Sequence, residues 1–260
     1  MTRGRRTGAT LLTLVTSALI SACGFLPRDA VVPMPTLLDR SACAASADTL
    51  LVMLPGRGML TSEFAGEGFI GEVQSRRLAV DVLRADAHIA YYDNRRIALR
   101  LREDVIAPAL ARGYRHIWLV GISLGGLGAL VYANEHPGDI EGVVVLAPYL
   151  GEPPVIDEIA SAGGLRQWDG YESAGDSSNG ELSRRLWKSL KPYATQPDPA
   201  GRPTLYLGYG LDDRLAPGHR LLAAALPGER VATTPGGHDW PEWRRLWSTL
   251  LPRLPLPRCN

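Results

Sequence analysis

Gly121-Ile122-Ser123-Leu124-Gly125 is the stretch on which the reading of this chain turns. It follows directly on the apolar run Ile117-Trp118-Leu119-Val120. It leads into a helix-forming segment, Leu124 to about Glu135, that stops before Pro137-Gly138. A serine in so short a strand-to-helix turn is pushed out at the carboxyl edge of a sheet, with its backbone bent. Gly121 and Gly125 remove the side chains that would collide there, and Gly126 and Gly128 let the helix lie close to the sheet. The start of that helix also points unbonded N–H groups and the positive end of its dipole at the serine.

Outward from this turn, apolar strand-like runs alternate with helical stretches, the pattern of an α/β fold with a mostly parallel sheet covered by helices. Thr49–Leu54, closed by Pro55-Gly56, reads as a buried strand. His88–Tyr92, His116–Val120, Gly142–Leu146 and Thr204–Gly208 read as further strands, and Arg230–Thr233 as a weaker one. Leu99–Arg112 reads as a helix with Leu101, Val105, Ala109 and Leu110 on its apolar side, and another follows Pro217 through Leu226. The last helix is expected after Asp239 as N-cap, with Pro241 in its first turn. Its Trp243, Leu246, Trp247 and Leu250 recur at helical spacing and are expected in the core. Residues 148–203 carry Pro153-Pro154, Gly163-Gly164 and the polar run Gly175–Glu181, and read as an insertion between two strands and a lid over a pocket.

In that setting the sequence resembles the α/β-hydrolase superfamily, in its serine esterase and lipase branch, from about Thr49 to Leu251. The resemblance implies a triad in the chain order serine, acid, histidine, with Ser123 as nucleophile. His238, in Pro235-Gly236-Gly237-His238-Asp239-Trp240, stands where the family places its base. Gly210-Leu211-Asp212-Asp213-Arg214-Leu215-Ala216-Pro217 resembles the family's Gly-x-x-Asp-x-x-x-Pro turn and selects Asp213 as the acid. Asp212, and Glu152 after the preceding strand, are the alternatives. Leu54-Pro55-Gly56-Arg57-Gly58 resembles the family's His-Gly-x segment with proline replacing histidine. It implies an oxyanion hole from the Leu124 and Arg57 N–H groups, with Gly58 in reserve.

The chemistry implied is acyl transfer to water through an acyl-enzyme on a small-molecule substrate, without a cofactor. A carboxylic ester is the first substrate class, and a thioester or amide would use the same groups. Two other readings stay open: a non-catalytic binding module on the same fold, and a perhydrolase or haloperoxidase-like enzyme in which peroxide replaces water. Arg57, Tyr91, Tyr92 and the insertion are expected to shape the pocket. His88, His116, His136 and His219 receive no role.

Composition narrows the field further. The chain has 260 residues, is 45% hydrophobic and has a formal net charge of +1. It is long enough for one domain with a full core, and its scattered basic residues give no electrostatic case for nucleic acid. It has no HExxH, no cysteine–histidine cluster at zinc spacing and no Walker loop, so no metal or nucleotide is expected.

The start of the chain is of another kind. Arg3, Arg5 and Arg6 precede an apolar stretch from about Ala9 to Ala22, too short and too polar to span about 30 Å of hydrocarbon, so residues 1–22 are expected to be a cleaved signal peptide. Ile20-Ser21-Ala22-Cys23 resembles a bacterial lipobox, which implies a lipid on Cys23 and a membrane-anchored envelope protein. Gly24, where Asp would favour the inner membrane, points to the outer membrane facing the periplasm in a Gram-negative cell. Residues 23–46 are then expected as a tether and 47–260 as the hydrolase domain. Cys43 and Cys259 are left over, and in an exported chain they invite a disulfide, two free thiols being the alternative.

Overall fold

A computed structural model describes residues 28–43, 46–93, 95–170 and 178–259. The signal peptide expected over 1–22 and Cys23 lie outside these residues. Seven strands form one sheet: β1 Thr36–Asp39, β2 Thr49–Leu54, β3 Val80–Ala85, β4 His116–Ile122, β5 Gly142–Leu146, β6 Thr204–Gly210 and β7 Val231–Thr234. Their spatial order is β1-β3-β2-β4-β5-β6-β7. β1 is antiparallel to β3, and every other pair is parallel.

Central strands of such a sheet are covered on both faces, so their sequences run apolar without alternation, and β2 and β5 are buried from end to end. Helices α1 (Phe69–Ser75) and α7 (Trp240–Leu250) cover one face. There Trp243, Leu246, Trp247 and Leu250 join Leu51, Met53, Val120 and Val144, as their spacing predicts. Asp239 caps α7, its Oδ1 accepting from Glu242 N–H at 3.4 Å. The other face carries α2 (helical over residues 97–111, with a π turn at Arg102–Ile106), α3 (Leu124–Glu135), α4 (Pro153–Ser161), α5 (Ser178–Thr195) and α6 (Ala216–Ala223).

One strand expectation fails, on polar residues whose partners are distant in sequence. His88–Tyr92 is not a strand: Ala90–Asp93 is a helical turn, and the strand is β3, eight residues earlier by its start. Asp81 and Arg84 interrupt the apolar run of β3, yet both are satisfied. The Asp81 carboxylate is buried and accepts from Ser41 N–H at 2.7 Å, Tyr114 Oη at 2.5 Å and Arg40 at 2.9 Å. Arg84 grips Asp39 through two nitrogens at 2.7 and 3.1 Å. Residues 28–43 of the tether expected over 23–46 are packed into the fold. Arg28 pairs with Asp86 at 3.0 Å, Met34 N–H donates to Asp104 at 2.9 Å, and β1 extends the sheet.

The insertion before β6 is built into the body. Trp168, Trp187, Leu190 and Tyr193 lie in the larger core cluster, and Trp187 Nε1 donates to Leu150 O at 2.8 Å. At the opposite end, Cys43 and Cys259 are joined by a disulfide with Cα atoms 5.4 Å apart, across 216 residues of sequence. Flanking bonds hold the same corner, Cys259 N–H to Arg77 O and Ala79 N–H to Pro257 O, each 2.8 Å. Restricting the unfolded chain over such a loop contributes about 2–5 kcal/mol.

Candidate active site

β4 is buried through Ile122 and ends on Ser123, whose backbone lies at φ 51°, ψ −111°, outside the regions that L-residues favour. The surroundings hold it there. Ser123 N–H donates to Leu146 O at 2.9 Å, and its carbonyl accepts from Tyr149 N–H at 2.9 Å. A Cβ on Gly121 would overlap the Gly125 carbonyl, and one on Gly125 would overlap the Leu54 carbonyl. Only glycine lets β4, α3 and the end of β2 meet this closely.

The loop after β7 brings His238 to this turn, with Nε2 at 2.9 Å from Ser123 Oγ. Its Nδ1 lies 2.7 Å from Asp213 Oδ2, on the turn after β6. The carboxylate can only accept, so Nδ1 carries the proton and Nε2 turns its lone pair to the serine hydroxyl. Asp213 is fixed in turn: Oδ1 accepts from Leu215 N–H at 2.8 Å, and its side chain is wholly buried. Burial opposes its charge, but the hydrogen bonds from His238 and Leu215 N–H outweigh that and hold its carboxyl below the usual range. The edge-on ring of Trp243, 5.2 Å away, backs the imidazole.

The alternative acids go elsewhere. Asp212 is exposed, and Glu152 Oε1 accepts from Tyr149 Oη at 2.7 Å. Asp213 is the carboxylate that meets His238.

On the other side of Ser123, the loop after β2 turns tightly at Gly56. A Cβ on Gly56 would come within 3.4 Å of Ser123 Cβ. Met59 closes the turn, its N–H donating to Gly56 O at 3.1 Å and its Sδ accepting from Gly56 N–H at 3.0 Å. The N–H groups of Arg57 and Leu124 have no partner among the described residues. Leu124 N–H opens α3, where the dipole adds to its pull on negative charge.

Tyr91 and Tyr92 do not line an opening here. Tyr91 is buried, and its hydroxyl bonds the backbone of Val31 at 2.8 and 3.1 Å. The Tyr92 hydroxyl is buried against Gly128. His219, unassigned in sequence, is fully buried beside Asp213; its place on an otherwise apolar helix face was the available signal. Among the described residues, no three His, Cys, Asp or Glu side chains gather as metal ligands would, and no helix is long and apolar enough to cross a membrane.

A family model described as "Putative esterase" matches residues 107–254. No sequence among the curated proteins matches the chain. Among solved structures, the chain is similar to Est1E from Butyrivibrio proteoclasticus with ferulic acid bound, at 16% identity and a TM-score of 0.56, over 85% of this chain and 94% of that one. A ferulic acid esterase aligns at 15% identity and a TM-score of 0.54, over 84% and 98%. S-formylglutathione hydrolase from Staphylococcus aureus aligns at 13% identity and a TM-score of 0.52, over 86% and 96%. At such identities the likeness is one of fold, and that fold is the α/β-hydrolase fold.

Proposed function

From the premise that this chain belongs to the "Putative esterase" family and is an ester hydrolase, we propose that it cleaves small-molecule carboxylic esters by a serine mechanism with Ser123, His238 and Asp213 as its triad. The observation that carries this reading is the unbroken relay of 2.7 Å from Asp213 to His238 and 2.9 Å from His238 to Ser123.

A serine hydroxyl attacks poorly unless a base takes its proton. As Ser123 Oγ bonds to the ester carbonyl carbon, His238 Nε2 removes that proton. Asp213 keeps the imidazole in the needed tautomer and stabilises the imidazolium. The carbonyl oxygen becomes an oxyanion, received by the Leu124 and Arg57 N–H groups at a gain of about 2.7–4 kcal/mol per donor in the transition state. Collapse expels the alcohol, which takes the proton from His238 and leaves an acyl group on Ser123. Water then attacks the acyl carbon, gives its proton to His238, and releases the acid with Ser123 regenerated.

Labelling of the full chain with a fluorophosphonate, followed by peptide mapping, is expected to place the adduct on Ser123, in a protein that also turns over nitrophenyl esters. A folded chain that takes no label would sink the serine mechanism.

The same proposal includes an envelope location, with a lipid on Cys23 holding the enzyme to a membrane. It is supported by the basic start, the apolar run and the Ile20-Ser21-Ala22-Cys23 match. In cells, Cys23→Ala is expected to lose incorporation of an alkyne-tagged fatty acid. Equal incorporation in the two forms would remove the anchor.

A further inference from the structure

His219 lies three residues inside α6, the helix that starts just after the acid turn, and it has no accessible surface. Its Nε2 is 2.8 Å from the carbonyl oxygen of Pro148. A carbonyl only accepts, so Nε2 carries the proton. The other nitrogen, Nδ1, has no partner among the described residues. Burial pushes the imidazole down to about 4, so the ring stays neutral near neutral pH. The ring of Tyr209, 5.3 Å away on β6, flanks it.

Pro148 is the centre of the bracket that holds the nucleophile. On one side of it, Leu146 O accepts from Ser123 N–H at 2.9 Å. On the other, Tyr149 N–H donates to Ser123 O, also at 2.9 Å. Between them Ala147 takes a positive φ of 47°, a strained state for a residue with a Cβ, and its N–H is tied to Gly208 O at 2.7 Å. The Pro148 ring presses on α3, its Cβ 2.8 Å from where a Cβ on Gly126 would lie. The Pro148 carbonyl is buried and needs a donor, which His219 supplies.

We infer that His219 is a positioning residue for ester hydrolysis: by clamping the Pro148 carbonyl, it locks the bracket around Ser123 to the helix that follows Asp213. The bond joins the nucleophile's support to the acid's support, whose relative placement sets the Ser123–His238 distance. The role rests on Ser123 being the nucleophile. Small displacements of reacting groups cost up to about a hundredfold in rate, so a released bracket is felt in the chemical step more than in binding.

The test compares His219→Leu, His219→Gln and His219→Asn in the full chain, using nitrophenyl butyrate turnover and the rate of fluorophosphonate labelling, each per mole of folded protein. Leucine fills the space without a donor. Glutamine carries an N–H at about the reach of Nε2, and asparagine falls short. His219→Leu is expected to lower kcat about tenfold or more with KM within about twofold, and to slow labelling by the same factor. His219→Gln is expected to return to within about threefold of the wild type, and His219→Asn to stay impaired. Should the leucine form not fold, the contrast between glutamine and asparagine decides.

A folded His219→Leu with wild-type kcat, or glutamine no better than asparagine, would overturn the positioning role alone. A wild-type chain that neither labels nor turns over ester would overturn the serine mechanism and this role together.

Discussion

Ser123→Ala is expected to lower kcat for a nitrophenyl ester by roughly 10⁴–10⁶ while leaving the protein folded. The hydroxyl makes one hydrogen bond in the relay, to His238 Nε2, and the His238 side chain is partly exposed, so water can replace the lost partner. Alanine keeps the Cβ and so meets the same backbone requirement at φ 51°. The bonds that hold the turn, Ser123 N–H to Leu146 O and Tyr149 N–H to Ser123 O, belong to the main chain and survive. The melting temperature should stay within about 4 °C of the wild type. The residual rate reports what the Leu124 and Arg57 N–H groups do for a water-driven reaction. Activity within tenfold of the wild type, in a variant confirmed by mass, would show that another group attacks.

The site was legible in the sequence where its determinants are local. The turn at Ser123 can be read because an apolar strand, a serine between glycines and a helix are contiguous, and the close approaches that demand Gly121 and Gly125 come from residues near that turn or from the adjacent strand. His238 was legible from a glycine-flexed loop between a strand and a capped helix. Asp213 followed from a turn spacing, and the geometry separates it from Asp212 and Glu152. What stayed hidden depends on partners far along the chain. β3 was passed over because Asp81 and Arg84 interrupt its apolar run, and the groups that satisfy them lie 30 to 45 positions away, at Tyr114, Arg40 and Asp39. Residues 23–46 read as a tether because so short a strand as β1 has no periodicity of its own. It is a strand because β3 offers it an edge. Tyr91 and Tyr92 looked like pocket residues because tyrosine is amphipathic. The Tyr91 hydroxyl is used instead to hold the arm at Val31.

The acid can be separated from its neighbours by a single atom. Asp213→Asn is expected to lower kcat by roughly 10³–10⁴ with a much smaller change in KM. Of the two carboxylate oxygens, Oδ1 accepts from Leu215 N–H at 2.8 Å and Oδ2 from His238 at 2.7 Å. An asparagine has one oxygen to offer. If that oxygen stays with the half-buried Leu215 N–H, the amide NH₂ faces His238 Nδ1 and donates to it. The ring must then carry its proton on Nε2, pointing at a serine hydroxyl it can no longer deprotonate. If the oxygen turns to His238 instead, Leu215 N–H loses its acceptor and the acid turn loosens. Either outcome also removes the negative charge that would stabilise the imidazolium.

A pH signature accompanies this loss of rate. In the wild type, the depressed carboxyl means that ionised Asp213 stabilises the fold above the ordinary carboxylate range. That contribution disappears as pH falls through the depressed value. Asp213→Asn should therefore lose less stability than the wild type on acidification. Asp212→Asn is the control: its side chain is exposed, and the Asp212 N–H bond to Gly236 O at 3.1 Å belongs to the backbone, so kcat should stay within about twofold. A reversed result, with Asp212→Asn inactive and Asp213→Asn active, would move the acid by one residue. Full activity in both variants would mean that His238 works without a carboxylate, and that the 2.7 Å contact is not part of the chemistry.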